Sequence, residues 1–160
     1  MIRPILIATC LLTATPVCAQ DAADRTTQAS AADIKAEVAA MMADMKPGQT
    51  FMWRSLLTTG QQTAGLEIWK APGRPAIHTA EAEYVTVVQG TGTLVTGGTM
   101  VNPKLVREGF VDGDVIQGGT TRTLKPGDFV LIPAGVPHWF GIPGEPLVLL
   151  GIKVPVQAAH

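Results

Sequence analysis

Apolar positions recur at helical spacing only once along the chain. Ile34, Val38, Met41 or Met42, and Met45 follow at steps of three or four residues, the period of a helix with one apolar face. Ser30 followed by Asp33 resembles an N-terminal capping pattern with Asp in place of the usual Glu. Lys46-Pro47-Gly48 ends the segment. One amphipathic helix is predicted. Its Met-rich stripe either awaits a partner, since Met side chains adapt to irregular surfaces, or caps one end of the body of the protein.

After Gly48 the period becomes extended. Phe51–Leu57 and Leu66–Lys70 have strand composition and flank a Thr/Gly/Gln turn region. Tyr84–Gln89 is a β-branched run closed by Gly90-Thr91-Gly92, and Thr93–Thr96 continues it. Between Gly97 and Gly119, Gly, Pro and Asn interrupt every few residues, which predicts a long excursion with one short strand near Asp114–Ile116. Thr121–Leu124, Phe129–Ile132, Trp139-Phe140 and Pro146–Val154 restore the strand pattern. A sandwich or closed barrel of about eight to ten strands follows.

Composition sharpens this division. All 17 Gly lie after position 47 and ten of the 12 Pro lie from position 47 onward, so the turn chemistry is concentrated where the strands are predicted. With 160 residues, 46% of them hydrophobic, there is material for one domain and one core. A net charge of −1 with interspersed signs leaves no basic stripe for a row of phosphates, so nucleic acid is not an expected partner.

The N-terminus reads as targeting sequence. Arg3 supplies a positive start, Ile5–Ala14 an apolar stretch too short for a span, and Val17-Cys18-Ala19 a small-residue site before Gln20. Residues 1–19 are therefore expected to be a cleavable signal peptide, making the protein exported, periplasmic or secreted, with no integral membrane span after cleavage. Lipidation at Cys18 is the alternative. Cys10 and Cys18 are the only cysteines, so cleavage removes thiol and disulfide chemistry altogether. Residues 20–48 comprise a polar leader and the helix.

Three histidines exist, and His160 is the final residue. The others stand in informative places: His78 after Ala76-Ile77, and His138 after Pro133-Ala134-Gly135-Val136-Pro137. Imidazole is the commonest metal-binding side chain. Two histidines with one carboxylate occupy one face of an octahedral ion and leave positions open for oxygen or substrate.

Gly127, five residues, Pro133-Ala134-Gly135, two residues and His138 resemble the second motif of the cupin superfamily, up to its final Asn, which here is Ile142. His78, four residues, Glu83, six residues and Gly90 resemble the first motif from its second histidine onward. Ala76 holds the place of the first histidine. The resemblance implies an all-β fold, a single-domain cupin β-barrel of the jelly-roll type over residues 49–156, with one N-terminal helix. It further implies a site in which His78, Glu83 and His138 bind one divalent transition metal, Fe, Mn, Zn, Ni or Cu. Glu83 is either a ligand or a catalytic general base. The implied activities are those of dioxygenases, lyases and isomerases acting on small organic molecules.

With one of four ligands missing, a degenerate cupin that binds a small ligand or metal without turnover is the other reading. Small cupins often resemble homodimers, and an edge strand such as Phe51–Leu57 would gain from a partner's cover. Glu81 is offset from the motif and is expected in a solvated loop. Trp53, Trp69, Trp139, Phe140 and Met52 either line the barrel mouth, where they could stack on an aromatic or sugar ring, or pack as ordinary core. Trp139 and Tyr84, each next to a candidate ligand on a strand, are expected to face away from it.

Overall fold

The structure is a computed structural model that describes residues 24–156. The expected signal peptide and His160 lie outside the described residues.

The helix forms where the apolar period predicts it. Helix α1 spans Ala31–Asp44. Ser30 is its N-cap: the Asp33 amide donates to the Ser30 hydroxyl (3.2 Å) while the Ser30 amide donates to the Asp33 carboxylate (2.9 Å). This reciprocal pair satisfies two of the amide donors that every helix start leaves free.

Thirteen strands follow among the described residues. A five-stranded antiparallel sheet has the order β1 (Phe51–Thr59), β2 (Gln62–Trp69), β13 (Leu147–Pro155), β4 (Glu81–Gln89) and β11 (Phe129–Ile132). A six-stranded sheet has the order β10 (Thr120–Leu124), β5 (Gly92–Thr96), β12 (His138–Gly141), β3 (Ala76–His78), β8 (Phe110–Asp112) and β7 (Lys104–Arg107). The ribbon of β6 (Thr99–Val101) and β9 (Val115–Gln117) stands apart. The two larger sheets face one another as an open jelly-roll sandwich. Neighbours distant in sequence, such as β13 between β2 and β4, are what a jelly roll requires.

Side-chain alternation builds two apolar layers. Between the sheets, Val85, Val87, Ile132, Leu147 and Leu149 of the five-stranded sheet meet Leu94, Leu124 and Phe140 of the other. On the outer face of the five-stranded sheet, Leu66, Ile68 and Val148 are covered by Val38 and Met41 of α1 and by Met45, its C-cap. The helix therefore does not cap an end of the barrel; it lies across the outside of β1, β2 and β13. The reason is in β2, where successive residues are buried on both faces, so Leu66 and Ile68 need an outer cover. Arg54 of β1 pins the helix there through Glu37 (2.8 Å) and Asp44 (2.7 Å). Met52 packs in this outer layer and not at the mouth.

The region read as a long excursion with one strand instead contains β6, β7, β8 and β9. Three- and four-residue strands separated by Gly carry too few positions to show a period of two. β3 was hidden for the same reason.

Candidate metal centre

His78 ends β3, Glu83 lies in β4 and His138 opens β12. Three independent constraints bring them together. His138 pairs in register with Ala76, so the face that carries His138 also carries Ala76 and, two residues on, His78. The Gly135 amide donates to the His78 carbonyl at 2.8 Å, tying the loop before β12 to the end of β3. Gly135 has φ +79°, a conformation that side-chain-bearing residues adopt only with strain. Gly90, the last residue of the first motif, has φ +79°, and a Cβ there would meet the Pro146 carbonyl oxygen at 2.1 Å; it lets β4 turn closely against the entry to β13.

The ligating atoms converge. The Nε2 atoms of His78 and His138 lie 3.6 and 3.3 Å from Glu83 Oε2, and one donor atom from each residue lies within 4.8 Å of the others. The imidazole rings are stacked at 5.4 Å. All three side chains are buried. His138 Nδ1 sits 3.1 Å from the Val136 carbonyl, which can only accept, so Nδ1 carries a proton and the neutral ring presents its Nε2 lone pair inward. Glu83 Oε2 is buried with no hydrogen-bond partner. Groups of this kind stand at such distances with either a proton or a metal ion between them. Two donors each about 2.1 Å from one ion would stand about 3.0–3.6 Å apart at coordination angles of about 90–120°, so the observed spacings are compatible with a transition metal.

Electrostatics favour the ligand forms. Burial, reinforced by the nearby Lys153 ammonium, pushes the His78 imidazole down to about 4, so it is neutral at physiological pH, as a ligand must be. Burial alone would raise Glu83, but without an ion the His138 ring at 3.3 Å, when Nε2 also carries a proton, and the charge of Lys153 outweigh it and hold the carboxyl down to about 2.

Two residues that sequence reasoning missed complete the charge pattern. Lys153 of β13 reaches Glu83 Oε1 at 3.2 Å and Glu67 Oε1 at 3.8 Å. Glu67 of β2 is buried and accepts from the Trp69 indole at 2.9 Å; burial raises its carboxyl above the ordinary range against the pull of Lys153.

These residues form part of the lining of a cavity of about 720 Å³. Ala76 also lines it, placing the position of the missing imidazole beside the cluster. Phe51, Trp53 and Trp69 line it from one side and Phe110 from another. Trp139 reaches its rim through a hydrogen bond from its indole to the Gly73 carbonyl (2.9 Å), so its outward position on β12 does not keep it from the opening. Tyr84 faces outward as expected, against Phe129. Glu81 is not in a solvated loop. It opens β4, is half-buried and lines the cavity, outside the three-residue cluster.

The family described as the cupin domain matches residues 105–153. The matched stretch and the fold around it support membership of the cupin superfamily. The matched stretch contains the second motif and leaves His78 and Glu83 to be assigned from geometry. No curated protein matches the sequence. Among solved structures, a cupin-2 domain containing protein from Shewanella frigidimarina is similar to this chain at 15% identity and TM-score 0.51, over 77% of this chain and 92% of that one. BH2720 from Bacillus halodurans is similar at 22% identity and TM-score 0.51, over 71% and 77%. The hydroquinone 1,2-dioxygenase PnpCD, in complex with Cd2+ and 4-hydroxybenzonitrile, is similar at 18% identity and TM-score 0.50, over 64% and 63%. At these identities the likeness speaks for the fold of the chain alone.

Proposed function

We propose that the protein is a metal-dependent enzyme acting on a small organic molecule, with His78, Glu83 and His138 as ligands of one divalent transition metal. The observation that carries the reading is the convergence of three lone-pair-bearing atoms in a cavity large enough for a small substrate. The metal would supply Lewis-acid or redox chemistry. The protein holds His138 in one tautomer through Val136, keeps His78 neutral by burial, and walls the cavity with indole and phenyl rings. The similarly folded hydroquinone 1,2-dioxygenase PnpCD, seen with Cd2+ and 4-hydroxybenzonitrile, supports oxygen chemistry; lyase or isomerase chemistry would use the same ligands. Glu83 serves as ligand, or as base if the ion is held by the imidazoles and substrate.

The test is titration of the chelator-treated protein with Mn2+, Fe2+, Zn2+, Ni2+ and Cu2+ by calorimetry, with His138→Ala as control. Binding of one ion per chain that the variant loses is the expected result. Absence of stoichiometric binding would favour a non-catalytic small-ligand cupin, which the alanine at position 76 and the salt bridge from Lys153 to Glu83 also suit.

Export with cleavage after Ala19 belongs to the same reading, and N-terminal sequencing of the periplasmic and culture fractions tests it. No helix among the described residues is long and apolar enough to cross a membrane. We further propose a homodimer, supported by exposed Phe129, Leu131 and Ile152 on the part of the outer sheet face that α1 leaves uncovered. Sedimentation measures it directly.

A further inference from the structure

Three cations line the cavity, and two of them are already matched. Arg74 pairs with Asp112 (3.0 Å) and Asp114 (2.8 Å). Lys153 is shared between Glu83 and Glu67. Arg107 has no carboxylate within 4.0 Å among the described residues; its one polar contact is with the Glu108 carbonyl at 3.5 Å. Its guanidinium instead lies 5.1 Å from the centre of the Phe110 ring, and that ring lies 5.3 Å from the imidazole of His78. Laid end to end, these two distances put Arg107 no more than about 10 Å from a metal ligand, the span of a small molecule.

The position is held. Arg107 ends β7 and Phe110 opens β8, so both flank a tight turn through Gly109 (φ +75°). The Thr79 amide donates to the Gly109 carbonyl at 2.9 Å, fastening the turn to the residue after His78. Phe110 pairs in register with His78 itself. Elsewhere along the cavity wall, Phe51 and Trp53 leave 39% and 51% of their surfaces exposed. Trp53 lies on Gly65, where any Cβ would meet the indole at 2.4 Å, so the ring is seated flat against the sheet. Large exposed rings in a cavity are unusual unless something covers them.

We propose that Arg107 is the specificity-determining residue of this cavity and that the ligand is a small organic acid carrying a planar ring, its carboxylate held by the Arg107 fork and its ring stacked on the Trp53 side. A planar guanidinium without an acidic partner matches a carboxylate in two parallel hydrogen bonds. Stacking on indole adds ring selectivity. This deepens the reading of the cavity as the chamber of a metal site and rests on it for the chemistry, though not for the recognition.

Benzoate, benzamide and acetate serve as probes, titrated by calorimetry or by ligand-observed NMR into the purified protein with chelator and again with Mn2+. Benzoate is expected to bind at least tenfold more tightly than benzamide, which keeps the ring and loses the charge, and more tightly than acetate, which does the reverse. Arg107→Gln should weaken benzoate about 10- to 100-fold, the usual effect of losing a charge-assisted pair, and leave benzamide unchanged. Arg107→Lys should fall between. Arg107 is exposed, so the variants should melt like the parent, which a thermal scan checks. Equal binding of benzoate and benzamide, no benzoate binding, or full benzoate affinity in Arg107→Gln overturns the proposal. Acetate binding as tightly as benzoate overturns its ring half. The Mn2+ titration reads the metal centre separately: Arg107-dependent benzoate binding without Mn2+ binding would sink the metal reading alone.

Discussion

Acid should unfold this protein in a window set by His78. The unfolded chain takes up a proton on this imidazole as pH falls through 6.5, whereas the folded chain resists until about 4 because burial and the Lys153 charge oppose the cation. Between those values the unfolded state binds more protons, so stability is complete above pH 6.5 and is lost as pH falls toward 4. At about 1.36 kcal/mol per pH unit, the gap corresponds to roughly 3 kcal/mol, with about 2–3 kcal/mol of it lost by pH 4.5. His78 is 8% exposed, so little solvent screening reduces this figure. Glu83 acts lower on the scale: its carboxyl, held near 2 against an ordinary 4.5, contributes stability that is complete above pH 4.5 and drains between 4.5 and 2. Against a typical total of about 5–15 kcal/mol, the first step alone is large. Urea denaturation at pH 7.0, 6.0, 5.0 and 4.5, with chelator present, should show it, and His78→Gln should flatten the slope in that range while leaving the lower one. If the parent and the variant lose stability in parallel from pH 7 to 4.5, the account of His78 is wrong.

Lys153→Met should lower stability by about 1–3 kcal/mol, less than the ~3–5 kcal/mol for breaking a fully buried pair because the ammonium is about one-third exposed; the difference from the parent should widen as pH rises, since the buried Glu67 carboxyl then ionises without its cation, and urea melts at pH 5 and pH 8 compare the two. Met41→Ala removes a fully buried side chain from beneath the helix and should cost about 2–4 kcal/mol, whereas a helix merely resting on an end of the sandwich would lose far less. Ala76→His places an imidazole on the face shared with His78 and opposite His138, and should tighten metal binding by on the order of tenfold or more, judged from the 10- to 100-fold effects of groups one shell further out; unchanged affinity in a competition titration would mean that position 76 does not reach the ion.

Much of this architecture was legible because it is locally encoded. The capping pair Ser30 and Asp33 and the three- and four-residue steps to Met45 specify a helix whatever it packs on. Gly127, Pro133, Gly135 and His138 carry enough fixed spacing to show a rigid turn delivering a histidine to a strand start. The destination of the helix was not encoded locally: α1 lies outside the sandwich because Leu66 and Ile68 point outward, and that orientation follows from the pairing of β2 with β13, whose midpoints are more than 80 residues apart in sequence. The strands between Gly97 and Gly119 were lost because three-residue segments between glycines carry no readable period.

The same distinction separates the two halves of the site. His78, Glu83 and His138 announce themselves by residue type and spacing, since imidazole and carboxylate at motif intervals have few other uses. Glu67, Lys153 and Arg107 do not, because a lone charged residue in a strand is ordinarily a solvated one. Their meaning comes from closure of the sandwich: β2 and β13 turn Glu67 and Lys153 inward, and the short β7–β8 hairpin brings Arg107 over Phe110 and toward His78. Once the cavity is closed the charges stop being interchangeable. Lys153 and Arg74 each have acidic partners within the fold, so neither discriminates strongly among small anions; Arg107 has none among the described residues, and it is the cation of this cavity whose neutralisation is left to whatever enters.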